Sequence, residues 1–269
     1  MVKQDIYVNE EDEVQKKKNQ RGSTFNGLTA NEWTINSKSV WSDIKAPKKT
    51  DFYDNGEIIP LDLCDKIVSI YSKEEDVILD PFMGLGNVIV SGIKSNRYCF
   101  GFEINKKYYE KAERNISSSL NLLVNGSYEI QNGDALELID NVKDDSVQLV
   151  LTSPSYPFGV SFEEKDFSLM NEFAYEKNME DLLFKIHKKV SPGGYCVFVV
   201  KDYRDIKNER PYVDFHSQIS SIGKKAGFLL QDITIFDLND QRGLILLGYP
   251  SRFYSNINHC YIIIFRKEK

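Results

Sequence analysis

The stretch Val77-Ile78-Leu79-Asp80-Pro81-Phe82-Met83-Gly84-Leu85-Gly86-Asn87 runs from an apolar segment through a glycine turn into residues with helical spacing. Strand, glycine loop and helix in that order let a ligand approach the backbone at the carboxyl end of a strand. A dinucleotide fingerprint would need a third glycine, but Gly86 is followed by Asn87-Val88-Ile89, and the Gly-Lys-Ser/Thr of a phosphate-cradling loop is missing. Asp80 at the strand end is also unfriendly to a pyrophosphate and suits a cation.

Outward from this stretch, apolar runs alternate with helix-like segments. Strands are expected near 76–80, 98–104, 128–132, 147–153, 195–201, 229–236 and 260–267, with helices near 60–72, 87–95, 105–119, 175–190 and 213–226. This is the pattern of an α/β fold with a seven-stranded, mostly parallel sheet and crossover helices. The last two strands have no obvious helix between them and are expected to close as an antiparallel C-terminal hairpin. Two loops, 154–174 and 237–259, are longer than such units need, and loops of that kind at sheet ends carry function. Residues 1–30 read as a flexible N-terminal arm, because their start is charged and polar. Residues 31–269 read as a single domain, with a cofactor half at about 31–140 and a catalytic half at about 146–269.

A chain of 269 residues with 41% hydrophobic content can bury one sizeable core. Its apolar runs fall far short of the roughly 18 residues of a membrane span, and the N-terminus has no apolar signal region. A cytoplasmic protein without membrane contact is expected. Cys64, Cys99, Cys196 and Cys260 lie far apart, which favours four reduced thiols over a zinc cluster or a disulfide framework. No metal is expected. The net charge of −6 is unevenly spread: residues 1–50 carry 9 cations and 7 acids, 51–200 carry 14 and 25, and 201–269 carry 11 and 8. An acidic centre with mildly basic flanks suits a cationic cofactor in the middle and a polyanion at the ends.

Two further carboxylates belong with Asp80. Glu103 closes the next strand, 23 residues on, where it can accept hydrogen bonds from ribose hydroxyls, and Asp134 follows a third strand in Asn132-Gly133-Asp134-Ala135, placed to face an adenine edge. A ribose, an adenine and a sulfonium that tolerates acidic surroundings together describe S-adenosylmethionine. After the fourth strand comes Thr152-Ser153-Pro154-Ser155-Tyr156-Pro157-Phe158, at the same sheet edge in one parallel topology.

With these residues in place the chain resembles the DNA amino-methyltransferases, which methylate the exocyclic nitrogen of cytosine or adenine. The matching stretches are NEWTINSKSVW (31–41), VILDPFMGLG (77–86), GFEINKKYYEKA (101–112), NGDALELI (132–139), SVQLVLTSPSY (146–156), VSPGGYCVFVVKD (190–202), and LGYPS with INHCYIIIFRK at the end. The resemblance implies a Rossmann-like methyltransferase sheet and S-adenosyl-L-methionine as cofactor, lined by Asp80, Pro81, Phe82, Gly84, Gly86, Glu103, Asp134 and Ala135. It also implies a catalytic tetrapeptide in which Ser153 takes the first place, Pro154 the second and Tyr156 the fourth. Ser155 stands where proline is usual, and the missing ring loosens the turn that aims the Pro154 carbonyl.

The chemistry accounts for these residue types. An exocyclic amine is a poor nucleophile, and the Ser153 hydroxyl with the Pro154 carbonyl can accept its two N–H groups and draw the lone pair toward the methyl. Tyr156, with Phe158, would stack on the flipped base. A ring-carbon cytosine methyltransferase would need a nucleophilic cysteine after proline, and no cysteine of this chain follows one. Within the family, serine at the first place goes with cytosine N4 ahead of adenine N6. The expected partner is duplex DNA, with a cognate restriction endonuclease or specificity subunit as a further one, and the protein is expected as a monomer or homodimer. DNA contact is expected from Lys16-Lys17-Lys18 and Arg21, from 201–212, and from 237–259 with Arg242, Tyr249, Arg252 and Tyr254. An RNA or protein amide methyltransferase, or a silent relative disabled by Ser155, are the rival readings. Trp33 and Trp41 either flank the cofactor or anchor the N-terminal stretch to the core, and His187, His216 and His259 read as isolated structural residues.

Overall fold

The computed structural model describes residues 25–44, 59–120, 126–157, 166–205, 210–238, 248 and 250–269. Most of the expected arm, the basic cluster at Lys16 to Lys18 with Arg21, Phe158, Arg242, Tyr249, and residues 206–209 and 239–247 of the expected recognition loops lie outside them.

In chain order, helix α1 (Ala30–Asn36) and strand β1 (Val40–Trp41) precede α2 (Leu61–Tyr71), β2 (Val77–Asp80), α3 (Asn87–Lys94) and β3 (Tyr98–Glu103). There follow α4 (Lys106–Ser119), β4 (Ser127–Asn132), the single turn α5 (Ala135–Leu138), β5 (Val147–Thr152) and α6 (Glu172–Lys189). The chain ends with β6 (Val190–Val200), β7 (Tyr203–Asp205), β8 (Arg210–Val213), α7 (Phe215–Lys225), β9 (Leu229–Asp237) and β10 (His259–Arg266). All seven expected strands pair in one sheet, whose order is β1-β9-β10-β6-β5-β2-β3-β4. The sequence reading lacked the eighth strand, β1, which adds to the edge of β9 in parallel through Val40 opposite Ile235 and Trp41 opposite Phe236. It also lacked the separate antiparallel pair β7–β8.

β10 alone runs against its neighbours, antiparallel to both β6 and β9. Since β9 and β10 pair antiparallel, Leu238 and residues 250–258 lie at the edge where β2, β3, β5 and β6 end. β6 starts at Val190, five residues ahead of the expected 195. Gly193 donates to the Lys267 carbonyl at 2.9 Å, and the pairing of β5 with β6 shifts register between Val147 and Leu149, so the Pro192-Gly193-Gly194 bend is taken into the strand.

Sequence type accounts for these elements. β2 and β5 are inner strands, mostly apolar and buried along nearly all their length because helices cover both faces. α4 and α6 begin at Asn105 and Asn171, whose side-chain oxygens accept from backbone N–H groups of the first turn. One apolar layer joins the sheet to α2, α3 and α4 through Leu63, Ile67, Ile89, Ile93 and Ile116. The other joins it to α6 and α7 through Met179, Leu182, Leu183, Ile186, Ile219 and Ile222.

The N-terminal boundary lies earlier than a free arm to residue 30 would place it. Asn26 is buried and donates to the Ile70 carbonyl, and Phe25 stacks on Tyr195. Trp41 is a core anchor, buried beneath the Lys66 ammonium 4.6 Å from its ring centroid, whereas Trp33 is half-exposed and donates to Asn26.

Helix α7 lies so close to β10 that a Cβ on Gly223 would fall inside the fully buried ring of Phe265. Gly223→Ala gains about 1 kcal/mol of helix propensity, but overpacking of this kind costs about 1–3 kcal/mol. Chemical denaturation of the variant is therefore expected to give a net loss of stability. A gain would mean that α7 stands off the sheet.

Candidate active site

Asp80 ends β2 and Thr152 ends the neighbouring β5. Parallel pairing of Ile78 with Leu149 and Leu79 with Val150 brings the two side chains together, and Thr152 Oγ1 donates to Asp80 Oδ1 at 2.7 Å. The same oxygen accepts from Phe82 N at 3.1 Å. One strand over, Glu103 ends β3 and binds the glycine turn: its Oε2 accepts from Gly84 N and its Oε1 from Asn105 N, both at 2.8 Å. Met83 N donates to the Phe102 carbonyl, so the loop 81–86 is laced to the end of β3.

Both carboxyl groups are buried and have no cation among the described residues. Burial pushes Asp80 up to about 7, against the lowering effect of its bonds from Thr152 and Phe82. Burial also pushes Glu103 up to about 7, with Asp166 and Asp80 adding to the rise.

The two glycines of the turn do different work. Gly84 has φ +54°, and a Cβ there would meet nothing closer than 4.0 Å, so this backbone borders open space. Gly86, expected in the pocket lining, has φ +80°, and its Cβ position faces Ile116 and Ala112 at 3.1–3.4 Å. Its role in the fold is to let α3 approach α4. Pro81 is buried in the turn, and Phe82 is half-buried with its ring edge-on to Phe167. Ala135 is buried, and Asp134 caps α5, its Oδ1 accepting from Leu136 N at 2.9 Å. Asn132 Nδ2 and Gly133 N both donate to the Glu103 carbonyl, which holds the 132–135 turn against the end of β3.

Ser153 is half-buried and Pro154 buried directly after Thr152. Tyr156 is held from two sides. Its hydroxyl accepts from Lys201 N at 2.7 Å, and its ring lies 4.9 Å from Phe215 and 5.9 Å, edge-on, from Tyr203. The 153–156 turn is thus fastened to Asp80 at one end and to the end of β6 at the other.

Three residues at this edge were missed by sequence reasoning. Thr152 is visible in the sequence only as the residue before Ser153. Asp166 is buried beside Glu103 and caps the short turn at Phe167. Asp202, fully buried after β6, accepts from Tyr212 Oη at 2.6 Å and from His216 N at 3.0 Å, and its Oδ2 lies 2.9 Å from His216 Nδ1. His216 also stacks on Tyr261 with centroids 3.9 Å apart, so it is no isolated histidine. The Lys201-Asp202 pair is visible in the sequence as the polar end of an apolar strand.

The sheet order, with a single antiparallel strand third from one edge, and acidic strand ends around a glycine turn define a Rossmann-like methyltransferase fold. Among solved structures the chain is similar to the precorrin-6y C5,15-methyltransferase of Geobacter metallireducens GS-15, with a TM-score of 0.51, 14% identity, and coverage of 83% of this chain and 93% of that one. A family model described as DNA methylase matches residues 2–114. The type II methyltransferase M.MthZI of Methanothermobacter thermautotrophicus is 23% identical over 183 residues, covering 66% of this chain and 49% of that protein. M.BglI of Bacillus subtilis, also a type II methyltransferase, is 29% identical over 94 residues, covering 35% of this chain and 26% of that protein. The chain is thus similar to a DNA methylase model over its first 114 residues and to type II methyltransferases over parts of its length. It spans about half the length of the first of these curated relatives and less of the second. No helix among the described residues is long and apolar enough to cross a membrane.

S-adenosylmethionine is the cofactor that this fold and family imply, and the donor set fits it. Two buried carboxylates without a cation, beside a glycine that borders open space, suit a cofactor bearing a sulfonium and an ammonium.

The raised carboxyls make a signed prediction. An unfolded aspartate ionises near 4 and Asp80 in the fold near 7, so the stability due to its neutral form is complete below about pH 4 and is lost as pH rises through about 7. Asp80→Asn keeps an oxygen for Thr152 and Phe82 while removing the charge. At pH 8 the ligand-free variant is expected to melt above the wild type yet bind S-adenosylmethionine at least tenfold more weakly, read by thermal scanning and calorimetry. A variant that melts lower and binds equally well would sink the assignment. Glu103→Gln is a poorer test, because its amide would face one of the two backbone N–H groups that Glu103 now accepts.

Proposed function

We propose that this protein is a DNA methyltransferase that moves a methyl group from S-adenosylmethionine to an exocyclic base amine, cytosine N4 ahead of adenine N6, on a base flipped out of duplex DNA. The observation that carries the reading is the 2.7 Å bond from Thr152 to Asp80, which ties the Ser-Pro-x-Tyr turn to a buried carboxylate of the cofactor edge. The family match and the type II methyltransferase relatives support the same class.

Bound S-adenosylmethionine supplies an electrophilic methyl on a positively charged sulfur. Asp80 balances that charge, Glu103 accepts from the ribose hydroxyls with the lone pairs left free by Gly84 N and Asn105 N, the Gly84 backbone borders the ligand, Pro81, Phe82 and Ala135 wall it, and Gly86 keeps the turn's shape by its packing. Asp134 presents the carboxylate oxygen not used in capping to the adenine. Ser153 Oγ and the Pro154 carbonyl accept the two N–H groups of the target amine and direct its lone pair. Tyr156, braced by Lys201, Phe215 and Tyr203, stacks on the extruded base. The amine keeps the methyl and loses one proton to water, since a serine hydroxyl is too weak a base to hold it. Positioning and electrostatics carry the catalysis, without a covalent enzyme intermediate.

We assign the chain from Phe25 onward to one methyltransferase domain, with 201–212 and 237–259 as its target-recognition segments, and a restriction endonuclease of the same specificity as its biological partner. RNA or protein amides are the second substrate class.

The purified protein, incubated with unmethylated duplex DNA and labelled S-adenosylmethionine, is expected to yield labelled N4-methylcytosine on nucleoside digestion and mass spectrometry. N6-methyladenine would correct the base, and label in RNA or protein alone would replace the substrate class. Ser153→Ala is expected to lower turnover by about a hundredfold, the size of one lost transition-state hydrogen bond, with cofactor affinity unchanged. Equal loss of both would remove Ser153 from the chemistry.

A further inference from the structure

The two segments that flank the catalytic turn are clamped into one platform by Arg204. Its Nη1 donates to the Pro211 carbonyl in β8 at 2.6 Å, and its Nη2 to the Ser255 carbonyl at 2.8 Å. Its guanidinium lies between the rings of Tyr212 and Tyr254, at 5.5 and 5.0 Å. The neighbouring Tyr203 touches Tyr156, so the platform adjoins the Ser-Pro-x-Tyr turn directly. Just ahead of Ser255 the chain closes a tight turn: Arg252 N and Ser251 Oγ both donate to the Gly248 carbonyl, at 2.7 and 3.3 Å. Gly248 has φ +74°, and a Cβ there would crowd the Arg252 carbonyl and the Tyr254 ring, so the turn needs glycine.

This braced turn presents Phe253 with 92% of its surface exposed, more than any other large apolar side chain among the described residues. Single exposed apolar residues are ordinary on protein surfaces. Here, however, the backbone around the ring is fixed from both sides, at the edge where the base would leave its stack. Arg252 beside it is exposed, and residues 248–258 contain no acidic residue.

We infer that Phe253 is a wedge that enters duplex DNA at the target site and fills the stacking position vacated by the flipped base, with Arg252 on the adjacent phosphate. The inference rests on the DNA methyltransferase reading above and adds to it the partner-contacting residue. An aromatic ring that takes the vacated stacking position offsets part of the cost of unstacking, because bases stack favourably on aromatic side chains. A base already unpaired needs less help to leave the helix. The wedge is therefore required on paired DNA and dispensable on mispaired DNA.

The test compares wild type, Phe253→Ala and Phe253→Trp on two duplexes that share the site mapped from the wild-type product, one fully paired and one with the target base mispaired. Because Phe253 packs so little against the fold, the alanine variant is expected to keep the wild-type melting temperature and cofactor affinity. Phe253→Ala is expected to lose at least tenfold in turnover on the paired duplex and to come within about threefold of wild type on the mispaired one, while Phe253→Trp stays near wild type on both. Equal loss on both duplexes, the behaviour of a general DNA contact, overturns the wedge. So does unchanged turnover on both, the behaviour of a residue that docks a protein partner, and in either case the methyltransferase reading stands. Absence of methyl transfer by the wild-type protein to any DNA overturns both.

Discussion

The hydrogen bond from Thr152 to Asp80 joins the ends of two adjacent inner strands, and the arrangement of the site depends on it. It fixes the start of the Ser-Pro-x-Tyr turn relative to the glycine loop, because Thr152 precedes Ser153 and Asp80 precedes Pro81. Asp80 is also the group that the fold is least able to tolerate as an ion, being fully buried with hydrogen bonds but no opposite charge among the described residues. Glu103 repeats the situation one strand away. Two buried carboxyls held near neutrality in the empty protein form a site that gains by accepting a cation.

The sheet gathers everything else around that pair. A parallel core alone would bring the ends of β2, β3, β4, β5 and β6 to one edge, but the antiparallel β10 is what returns residues 250–258 to it. On the proposed function, the edge carries a cofactor side, from Asp80 to Asp134, and a target side, from Ser153 to the platform of Arg204. Tyr156 sits between them, with its hydroxyl on Lys201 N and its ring against Tyr203 and Phe215. Asp202 secures the target side by holding Tyr212 and His216 on one buried carboxylate.

Much of this was legible in the sequence where the signal is local. Continuous apolar runs such as Val77 to Leu79 and Tyr261 to Phe265 gave seven strands to within a few residues, save for the start of β6. Acidic residues directly after such runs gave Asp80 and Glu103, because a strand end at the carboxyl edge is a position that chain order alone can define. The residues that escaped depend on which strands become neighbours. Thr152 acquires its meaning only when β5 lies beside β2, and Arg204 only when β10 folds the 250–256 turn back onto β7. Gly86 and Asp134 were legible as loop residues, but their contacts with Ile116 and with Leu136 N are set by helix packing and capping. The two-residue strand β1 is too short to carry any period at all.

The central claim is that Asp80 and Glu103 are held near neutrality by burial until a cationic cofactor arrives. Carbon-13 NMR of their side-chain carboxyls across pH, with and without S-adenosylmethionine, tests it most directly. The account predicts midpoints near 7 in the ligand-free protein that fall to about 5 or lower with the cofactor bound. Midpoints near the ordinary carboxylate value of about 4 in the ligand-free protein, or midpoints that do not move on binding, would contradict it.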